Sequence, residues 1–279
     1  MTPRRRAVLL VLPALVPVAA VVGAALVSAV LLSLGLTPLV GRPELSLDAW
    51  RAAAGDLGTA TRLSLGIAAA STVLAAAVGL ALALAATAAV RRSRLLGALA
   101  ALTIPVPHLV GAAAMGLLLA DTGVLARWLG VSPDAWPSLV GGPWWVAVVA
   151  EYAWKESAFV ALVVGGVLAS RARSYGETAA LLGAGRWARF RFVTLPLAAP
   201  ALGGASAVTF VYTLGSYEVA ALLGRPYPEP LPVMAVRLAG SIDLAVRPQA
   251  AAVAVTTAVL ALAVVLLALR ALRRLSAWH

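Results

Sequence analysis

The residues of this sequence that could do chemistry are four charged side chains and one histidine inside long apolar stretches: His108, Glu151, Lys155, Glu156 and Glu218. Carboxylate, ammonium and imidazole groups can bind ions, exchange protons or hydrogen-bond a polar solute. The chain has no cysteine and two histidines, and it contains no HExxH, GxSxG or GxxxxGK[ST] pattern. We therefore expect no catalytic residue, no metal site and no cofactor site, and we do not expect an enzyme.

The spacing of these groups predicts their partners. Glu151 and Lys155 are four residues apart, which places them on one helical face, where they are expected to neutralise each other. Glu156 lies on another face of the same helix. His108 follows two prolines, so we expect a polar residue at the beginning of a helix rather than a ligand.

Charged side chains near the centre of a membrane span cost about 2.5–3.5 kcal/mol each on insertion scales, so they usually face protein or water. Glu218 follows an apolar stretch and has two tyrosines close by. Such groups can line a path for a solute or can hydrogen-bond a second subunit, and both roles stay open. The candidate path residues are Lys155, Glu156, Tyr212, Tyr217 and Glu218.

The elements that must position these groups are membrane helices. Hydrophobic residues make up 62% of the chain and charged residues 12%, so polar groups cannot cover its surface as they cover a globular domain. About 20 apolar residues cross a hydrocarbon core as a helix, and the apolar runs lack the alternation of barrel strands. The sequence therefore predicts an all-α membrane protein with six transmembrane helices. The six stretches are Ala7–Leu36, Leu63–Val90, Leu95–Ala120, Pro143–Ser170, Phe192–Tyr217 and Pro248–Leu269.

The first apolar stretch is expected to remain as a span, because a signal peptide has only about 7–15 apolar residues. The run SLDAWRAAAGDL then places Leu47, Trp50 and Ala54 on one helical face, which predicts a short interfacial helix in the first outer loop. We divide the chain into a first helix with this outer interfacial loop (1–62), a five-helix core with a cytoplasmic loop at 171–196 (63–270), and a cytoplasmic tail (271–279).

The arginines orient these helices. One alternating set of connecting segments holds 14 arginines and one acidic residue, Glu177, whereas the other set holds seven arginines and seven acidic residues. Short loops rich in Lys and Arg stay cytoplasmic, so both termini are predicted to be cytoplasmic. The net charge of +11 then reflects topology, and we expect a lipid bilayer and no nucleic acid as partner.

The connection between the fourth and fifth spans is the most distinctive cytoplasmic segment. From Tyr175 to Pro196 it reads YGETAALLGAGRWARFRFVTLP. A small apolar helical face is followed by Gly183, which breaks the helix, and by a second short helix around Trp187. Pro196 begins the next span, where its missing N–H costs nothing. This shape suits the groove of another protein.

The segment resembles the cytoplasmic motif of the integral-membrane permease subunits of type I ATP-binding-cassette importers. That motif is Glu-Ala-Ala, three residues, Gly, nine residues, Ile, one residue, Leu-Pro. Glu177, Ala179, Gly183 and Leu195-Pro196 match it. Thr178 replaces an Ala and Val193 replaces the Ile, and both departures keep the side chain small or β-branched. The segments SLDAWRAAAGDL, WKESAF and GSYEVAALLG are also similar to their counterparts in this family.

The resemblance implies the type I importer permease fold, in the bacterial cell (inner or plasma) membrane, as a multi-pass subunit. In such importers two permeases, identical or paralogous, pack together, ATPase subunits dock on the cytoplasmic side, and an extracytoplasmic binding protein delivers a small solute. The residues implied in coupling to the ATPase are Glu177, Thr178, Ala179, Ala180, Gly183, Arg186, Leu195 and Pro196.

The cargo is less defined than the family. GSYEVAALLG and LPVMAVRLAGSIDLAVRPQA most resemble permeases grouped with spermidine/putrescine, iron(III), thiamine and phosphonate importers, and two acids, Glu156 and Glu218, favour a cation. A sugar-specific member of the same family stays open. Outside the family, a secondary transporter would also have six spans, although no internal repeat is visible. A membrane hydrolase and a scaffold without transport are further alternatives.

The predicted orientation can be tested by labelling single cysteines, because the chain has none of its own. Thiols at Ser46 and Ser138 should react with an impermeant reagent outside intact cells, whereas thiols at Ser93 and Ser174 should not, since arginine-rich segments stay inside. Labelling after permeabilisation controls for buried thiols. Protection of the first pair together with reaction of the second would establish the opposite orientation.

Overall fold

The computed structural model describes residues 3–88 and 102–276, and within these ranges the regular structure is helical, with no β-strand. Six segments there are long and apolar enough to cross a membrane, which confirms the predicted six-helix, all-α membrane fold. They are Val8–Ser33, Asp48–Ala86, His108–Trp128, Val146–Ala169, Arg186–Gly215 and Leu244–Arg274. Two predicted cytoplasmic segments lie outside the described residues: the loop with Arg91, Arg92, Ser93 and Arg94, and residues 277–279 of the tail.

The described α-helices, in chain order, are α1 (Pro3–Ser33), α2 (Asp48–Ala88), α3 (His108–Leu119), α4 (Val124–Trp128), α5 (Val146–Leu181), α6 (Arg186–Arg189), α7 (Leu195–Gly215), α8 (Glu218–Leu223), α9 (Leu231–Ala239) and α10 (Arg247–Ser276). Short 3₁₀ turns occupy Pro133–Ala135 and Leu244–Val246, and a π-helical turn occupies Phe190–Thr194.

The expected separate interfacial helix around Trp50 is wrong. That segment is the first part of α2, a single helix of 41 residues that begins at Asp48 and crosses the expected loop boundary at residues 62 and 63. The segment contains glycines but no proline, and glycine lowers helix propensity by only about 1 kcal/mol. A continuous helix also pairs its own backbone groups, which lipid cannot do.

The third span is broken in its described part. Leu102 and Thr103 are helical, residues 104–107 are not, and α3 begins at His108 with Pro107 as its N-cap residue. Pro105 and Pro107 lack the N–H that would continue the helical hydrogen bonds, so the break follows from the sequence. The prediction that His108 begins a helix is confirmed.

The chain divides into two compact units, residues 1–59 with 234–259, and residues 60–233 with 260–279. The first unit includes a tight outer turn in which the Glu44 N–H donates to the Gly35 carbonyl at 3.1 Å. Gly35 has a φ of +72°, and an added Cβ would lie 2.6 Å from the Glu44 carbonyl oxygen, so this turn requires glycine.

The second unit is built around α5, which packs against α3, α7 and α8. Two apolar cores flank it at different levels. One core consists of Ile67, Ala112, Trp145, Ala147, Val148, Tyr152, Val219, Ala220 and Leu223. The other consists of Ala83, Val160, Val164, Leu168, Ala198 and Ala205. Many of these residues are small, which lets membrane helices approach closely.

Gly79 shows how close that approach is. A Cβ at this position of α2 would lie 2.6 Å from the Val160 Cβ and 2.8 Å from the Ser157 carbonyl oxygen, both on α5. Real Cβ atoms do not come this near to backbone, so any larger residue forces the two helices apart. The glycine therefore sets the distance between α2 and α5.

We expect Gly79→Ala to lower the free energy of unfolding by about 1–3 kcal/mol, the usual cost of overpacking a core. Gly66→Ala is the matched control on the same helix, because its added methyl would meet no atom within 4 Å. The control should be neutral or more stable by up to about 1 kcal/mol, since Ala favours helix. Thermal unfolding in detergent measures both, and equal effects would contradict the close contact.

Candidate functional site

A polar cluster lies inside the second unit where α3, α5 and α7 meet. His108, the first residue of α3, stands between two glutamates of α5. Its Nδ1 lies 3.3 Å from Glu151 Oε1, and its Nε2 lies 3.4 Å from Glu156 Oε1. The three side chains are 19%, 0% and 12% exposed, so this ion contact is largely shielded from the surroundings.

Lys155 has a different partner from the one that its spacing predicts. Its Nζ donates a hydrogen bond to the Thr103 carbonyl at 2.6 Å and another to the Val106 carbonyl. The expected pairing with Glu151 is wrong, because neither Glu151 oxygen has a hydrogen-bond partner among the described residues. The broken third span supplies the reason, since the break at residues 104–107 leaves two backbone carbonyls within hydrogen-bond distance of the ammonium.

Glu156 connects the cluster to α7. Its Oε2 accepts a hydrogen bond from Thr209 Oγ1 at 3.3 Å. On the same helix, the Tyr212 ring lies 4.9 Å from the His108 ring between centroids. His108, Glu156 and Tyr212 therefore meet across three helices, although they are far apart in the sequence.

The candidate path residues differ in exposure. Lys155 is buried and Glu156 is mostly buried, whereas Tyr212 and Tyr217 are 40% and 39% exposed. Glu218 is exposed at the first turn of α8, directly after Tyr217. The structure thus brings Glu156 and Tyr212 together around His108, while Tyr217 and Glu218 lie at the beginning of the next helix. Their role in transport stays a prediction.

His108 is the residue whose partners sequence reasoning missed. The prolines before it indicate where its helix begins, but no spacing rule relates it to glutamates more than 40 residues later. Across the described ranges, no three His, Asp or Glu side chains gather as a metal site. The cluster is therefore a network of ion contacts and hydrogen bonds.

The segment from Tyr175 to Pro196, which the sequence predicts to be cytoplasmic, has a second, separate geometry. The expected first helix of this segment is not separate, because α5 continues from the membrane span to Leu181 without interruption. Gly183 then has a φ of +83°. Its N–H donates to the Ala180 carbonyl at 3.0 Å, and the Ala184 N–H donates to the Ala179 carbonyl at 2.9 Å. This pair of bonds is the Schellman motif, which ends a helix and favours glycine.

The second half of the segment returns to the membrane through a short helix. α6 follows Gly185, and the π-helical turn Phe190–Thr194 joins it to α7, which has Pro196 in its first turn. The predicted glycine turn is confirmed. The expected second short helix is not separate, because it continues through the π-helical turn into α7, and the expected start of the span at Pro196 is therefore wrong. A π-helical turn inside a helix often accompanies a functional site.

The coupling candidates lie on both sides of this turn. Glu177, Thr178, Ala180, Gly183 and Arg186 are exposed, and Ala179, Leu195 and Pro196 are half-buried. Next to them, Leu181, Leu182 and Trp187 expose 89%, 84% and 72% of their surface. Large apolar side chains exposed together indicate a surface for protein or lipid.

The comparisons with known proteins agree with this architecture. A family model described as "Binding-protein-dependent transport system inner membrane component" matches residues 77–277. That range contains the polar cluster and the whole cytoplasmic segment. No curated protein sequence matches the chain.

Several solved structures share the fold. A bacterial ABC transporter involved in the import of the acidic polysaccharide alginate matches with a TM-score of 0.76 and 20% identity, over 97% of this chain and 96% of that chain. A bacterial alginate ABC transporter in complex with an alginate pentasaccharide-bound periplasmic protein matches with a TM-score of 0.66 and 22% sequence identity, over 77% of this chain and 77% of that chain. An amino acid ABC transporter with histidines matches with a TM-score of 0.60 and 17% sequence identity, over 83% of this chain and 99% of that chain.

Proposed function

Because this chain belongs to the family of binding-protein-dependent transport system inner membrane components, we propose that it forms half of the translocation path of an ATP-driven importer. A second permease, identical or paralogous, forms the other half. A binding protein delivers the solute from outside, and ATPase subunits hydrolyse ATP on the cytoplasmic side. The complex lies in the inner or plasma membrane of a bacterium.

The observation that carries the coupling proposal is the exposed, glycine-capped end of α5. The family match includes this segment, and a Schellman turn at Gly183 presents the small residues Thr178 and Ala180 at the helix end. Small residues permit close approach of a second protein. We propose that this end of α5 and α6 together dock on the ATPase subunit.

The side chains around the turn fit such a contact. Leu182 and Trp187 supply exposed apolar surface, and Glu177 and Arg186 supply charges of both signs beside it. An apolar centre with charged residues at its rim is the usual composition of a protein interface. A ligand shifts a conformational equilibrium only through different affinity for its states, so the ATPase must bind this surface differently in its two nucleotide states.

We propose a cationic cargo, in keeping with the spermidine/putrescine, iron(III) and thiamine importers of the group that the sequence resembles, whereas the phosphonate importers of that group carry an anion. Glu218 is exposed, and Tyr212 and Tyr217 beside it each expose about two fifths of their surface. The ammonium of Lys155 is already bound to backbone carbonyls. The remaining charge at the path candidates is negative, and tyrosine rings attract cations through their faces. The likeness to an alginate importer concerns the fold, and it does not decide the cargo.

We expect Gly183→Ala to reduce ATP hydrolysis stimulated by the loaded binding protein, together with uptake. A φ of +83° costs a non-glycine residue about 1–2 kcal/mol, so the turn should shift and docking should weaken about tenfold, the equivalent of ~1.4 kcal/mol. Gly183→Asp should have a larger effect, because it adds charge at the contact. The assay is the intact importer reconstituted in liposomes.

Gly185→Ala is the matched control, since Gly185 has a φ of −68° and Ala adopts that conformation without strain. Its stimulated ATP hydrolysis should remain normal. Glu177→Lys reverses the one acidic charge of the cytoplasmic arginine-rich segments and should also weaken docking. Normal transport by both Gly183→Asp and Glu177→Lys would mean that the segment is only a connector.

Glu218→Gln should raise the apparent KM for a cationic probe about tenfold, which corresponds to ~1.4 kcal/mol, because the exposed carboxylate loses its charge. Radiolabelled spermidine and thiamine serve as probes with the intact importer in liposomes. Glu44→Gln is the matched control, because Glu44 is also exposed but belongs to the outer turn. Unchanged uptake kinetics for both probes would remove Glu218 from the path.

A further inference from the structure

The break in the third span changes how two backbone carbonyls are paired. In a continuous helix, the Thr103 carbonyl would accept from the N–H of Pro107, which has none, and it accepts instead from the Val106 N–H at 3.3 Å. The Val106 carbonyl lies outside the helical ladder, because α3 begins only at His108 and its helical bonds begin with Gly111 N–H to the Pro107 carbonyl, at 3.0 Å. A carbonyl that loses its helical donor and is shielded from water needs another donor from the protein.

Lys155 supplies that donor. Its ammonium donates to both carbonyls, and the residue is only 7% exposed. A buried ammonium is costly unless acceptors and negative charge surround it. The carbonyls provide the acceptors, and Glu151, which forms no direct ion pair with the ammonium, lies one helical turn earlier on the same face of α5. The lysine thereby ties the broken span to α5.

The hydrogen bonds from Lys155 to the two carbonyls also position His108, since this residue follows the break directly. Gly111, one turn later, keeps α3 close to α5, because a Cβ there would lie 2.8 Å from Glu151 Oε1 and 3.2 Å from the Trp154 ring. The imidazole is therefore held with one nitrogen at each carboxylate, at 3.3 and 3.4 Å. The other titratable groups at the ring are Tyr152 and Tyr212, at 6.1 and 4.9 Å between ring centroids.

Two carboxylates around one imidazole restrict its protonation. A neutral imidazole carries a proton on one nitrogen, so the lone pair of the other nitrogen would point at a carboxylate oxygen. Two lone pairs at 3.4 Å repel each other, and Glu151 has no water exposure to relieve the repulsion, since its side chain is 0% exposed. An imidazolium has an N–H at both positions and attracts both carboxylates.

We infer that His108 is an imidazolium that bridges Glu151 and Glu156, and that it forms with Lys155 a net-neutral ion network joining the third, fourth and fifth spans. Two positive and two negative charges balance within it. A neutral His108 would leave one buried negative charge without compensation. His108 and Lys155 are positioning residues, because they fix the broken span and orient the Glu156 carboxylate, which also accepts from Thr209.

The charged groups of the membrane spans have different roles in this network and outside it. Glu151, Lys155 and His108 bind one another or the backbone, and Glu156 is their partly exposed member. Cargo recognition then rests on the outer part of this surface, where Tyr217 and Glu218 are exposed. This inference deepens the proposed function, yet it stands on the contacts of the cluster alone.

The protonation of His108 can be observed directly, because the chain has one other histidine, His279. In the full-length chain with His279→Gln, His108 is the one remaining imidazole, provided that the affinity tag contains no histidine. The protein is labelled with ¹⁵N-histidine and inserted in lipid nanodiscs. At about pH 7.5, where an unperturbed histidine is mostly neutral, we expect imidazolium resonances with protons on both nitrogens.

Two variants test which carboxylate stabilises the proton on each imidazole nitrogen of His108. Glu156→Gln should leave the proton on Nδ1, facing Glu151, and should abolish the Nε2–H signal. Glu151→Gln should leave the proton on Nε2 and should abolish the Nδ1–H signal. Asp121→Asn is the control, since this exposed carboxylate lies in an outer loop, and its spectrum should equal that of the parent.

The spectrum of the parent chain is decisive even if a variant fails to insert. A single neutral tautomer, or two neutral tautomers in exchange, would overturn the bridging imidazolium. The measurement uses no ATPase, binding protein or cargo, so a failed network leaves the importer proposal intact. Conversely, an importer proposal contradicted by normal transport of the Gly183→Asp and Glu177→Lys variants would leave the histidine spectrum unaffected.

Discussion

The hydrogen bonds from Lys155 to the Thr103 and Val106 carbonyls are the interaction on which the polar interior depends. A carbonyl that loses its helical N–H partner at a proline break needs another donor where water is excluded. Lys155 meets that need for the Val106 carbonyl and adds a second donor to the Thr103 carbonyl. His108 follows the break directly, so this contact joins the residues before α3 to the helix that carries both glutamates.

One helix links this interior to the glycine turn at Gly183. α5 has 36 residues, which corresponds to about 54 Å of helix. Its first half carries the glutamates and the lysine, and its last turn ends at the glycine cap beside the residues proposed for coupling. A displacement of the capped end therefore moves the polar cluster as part of the same rigid element, provided that α2 and α7 permit it.

Much of the architecture follows from composition and local pattern. Long uncharged runs in a chain that is 62% hydrophobic can only become membrane helices, because the backbone must pair its own polar groups in lipid. The glycine turn at Gly183 is equally local, since it depends on the backbone freedom of a single residue. For the same reason, the start of α3 at His108 could be read from the two prolines before it. The expected helix start at Pro196 is wrong, because the helical segment already begins at Arg186 and continues through a π-helical turn.

The partners of the charged groups could not be read in this way. The spacing of Glu151 and Lys155 indicates a shared helical face, but the lysine binds carbonyls 49 and 52 residues away, and only helix packing brings these groups together. Likewise, Asp48 begins one long helix instead of a separate short one, because no local signal overrides the continuous pairing of the backbone in α2. The sequence by itself determined which segments are helices and where prolines and glycines interrupt them, because these are properties of neighbouring residues. Tertiary structure alone decided which polar groups meet, because a buried charge takes the nearest acceptor or opposite charge in space.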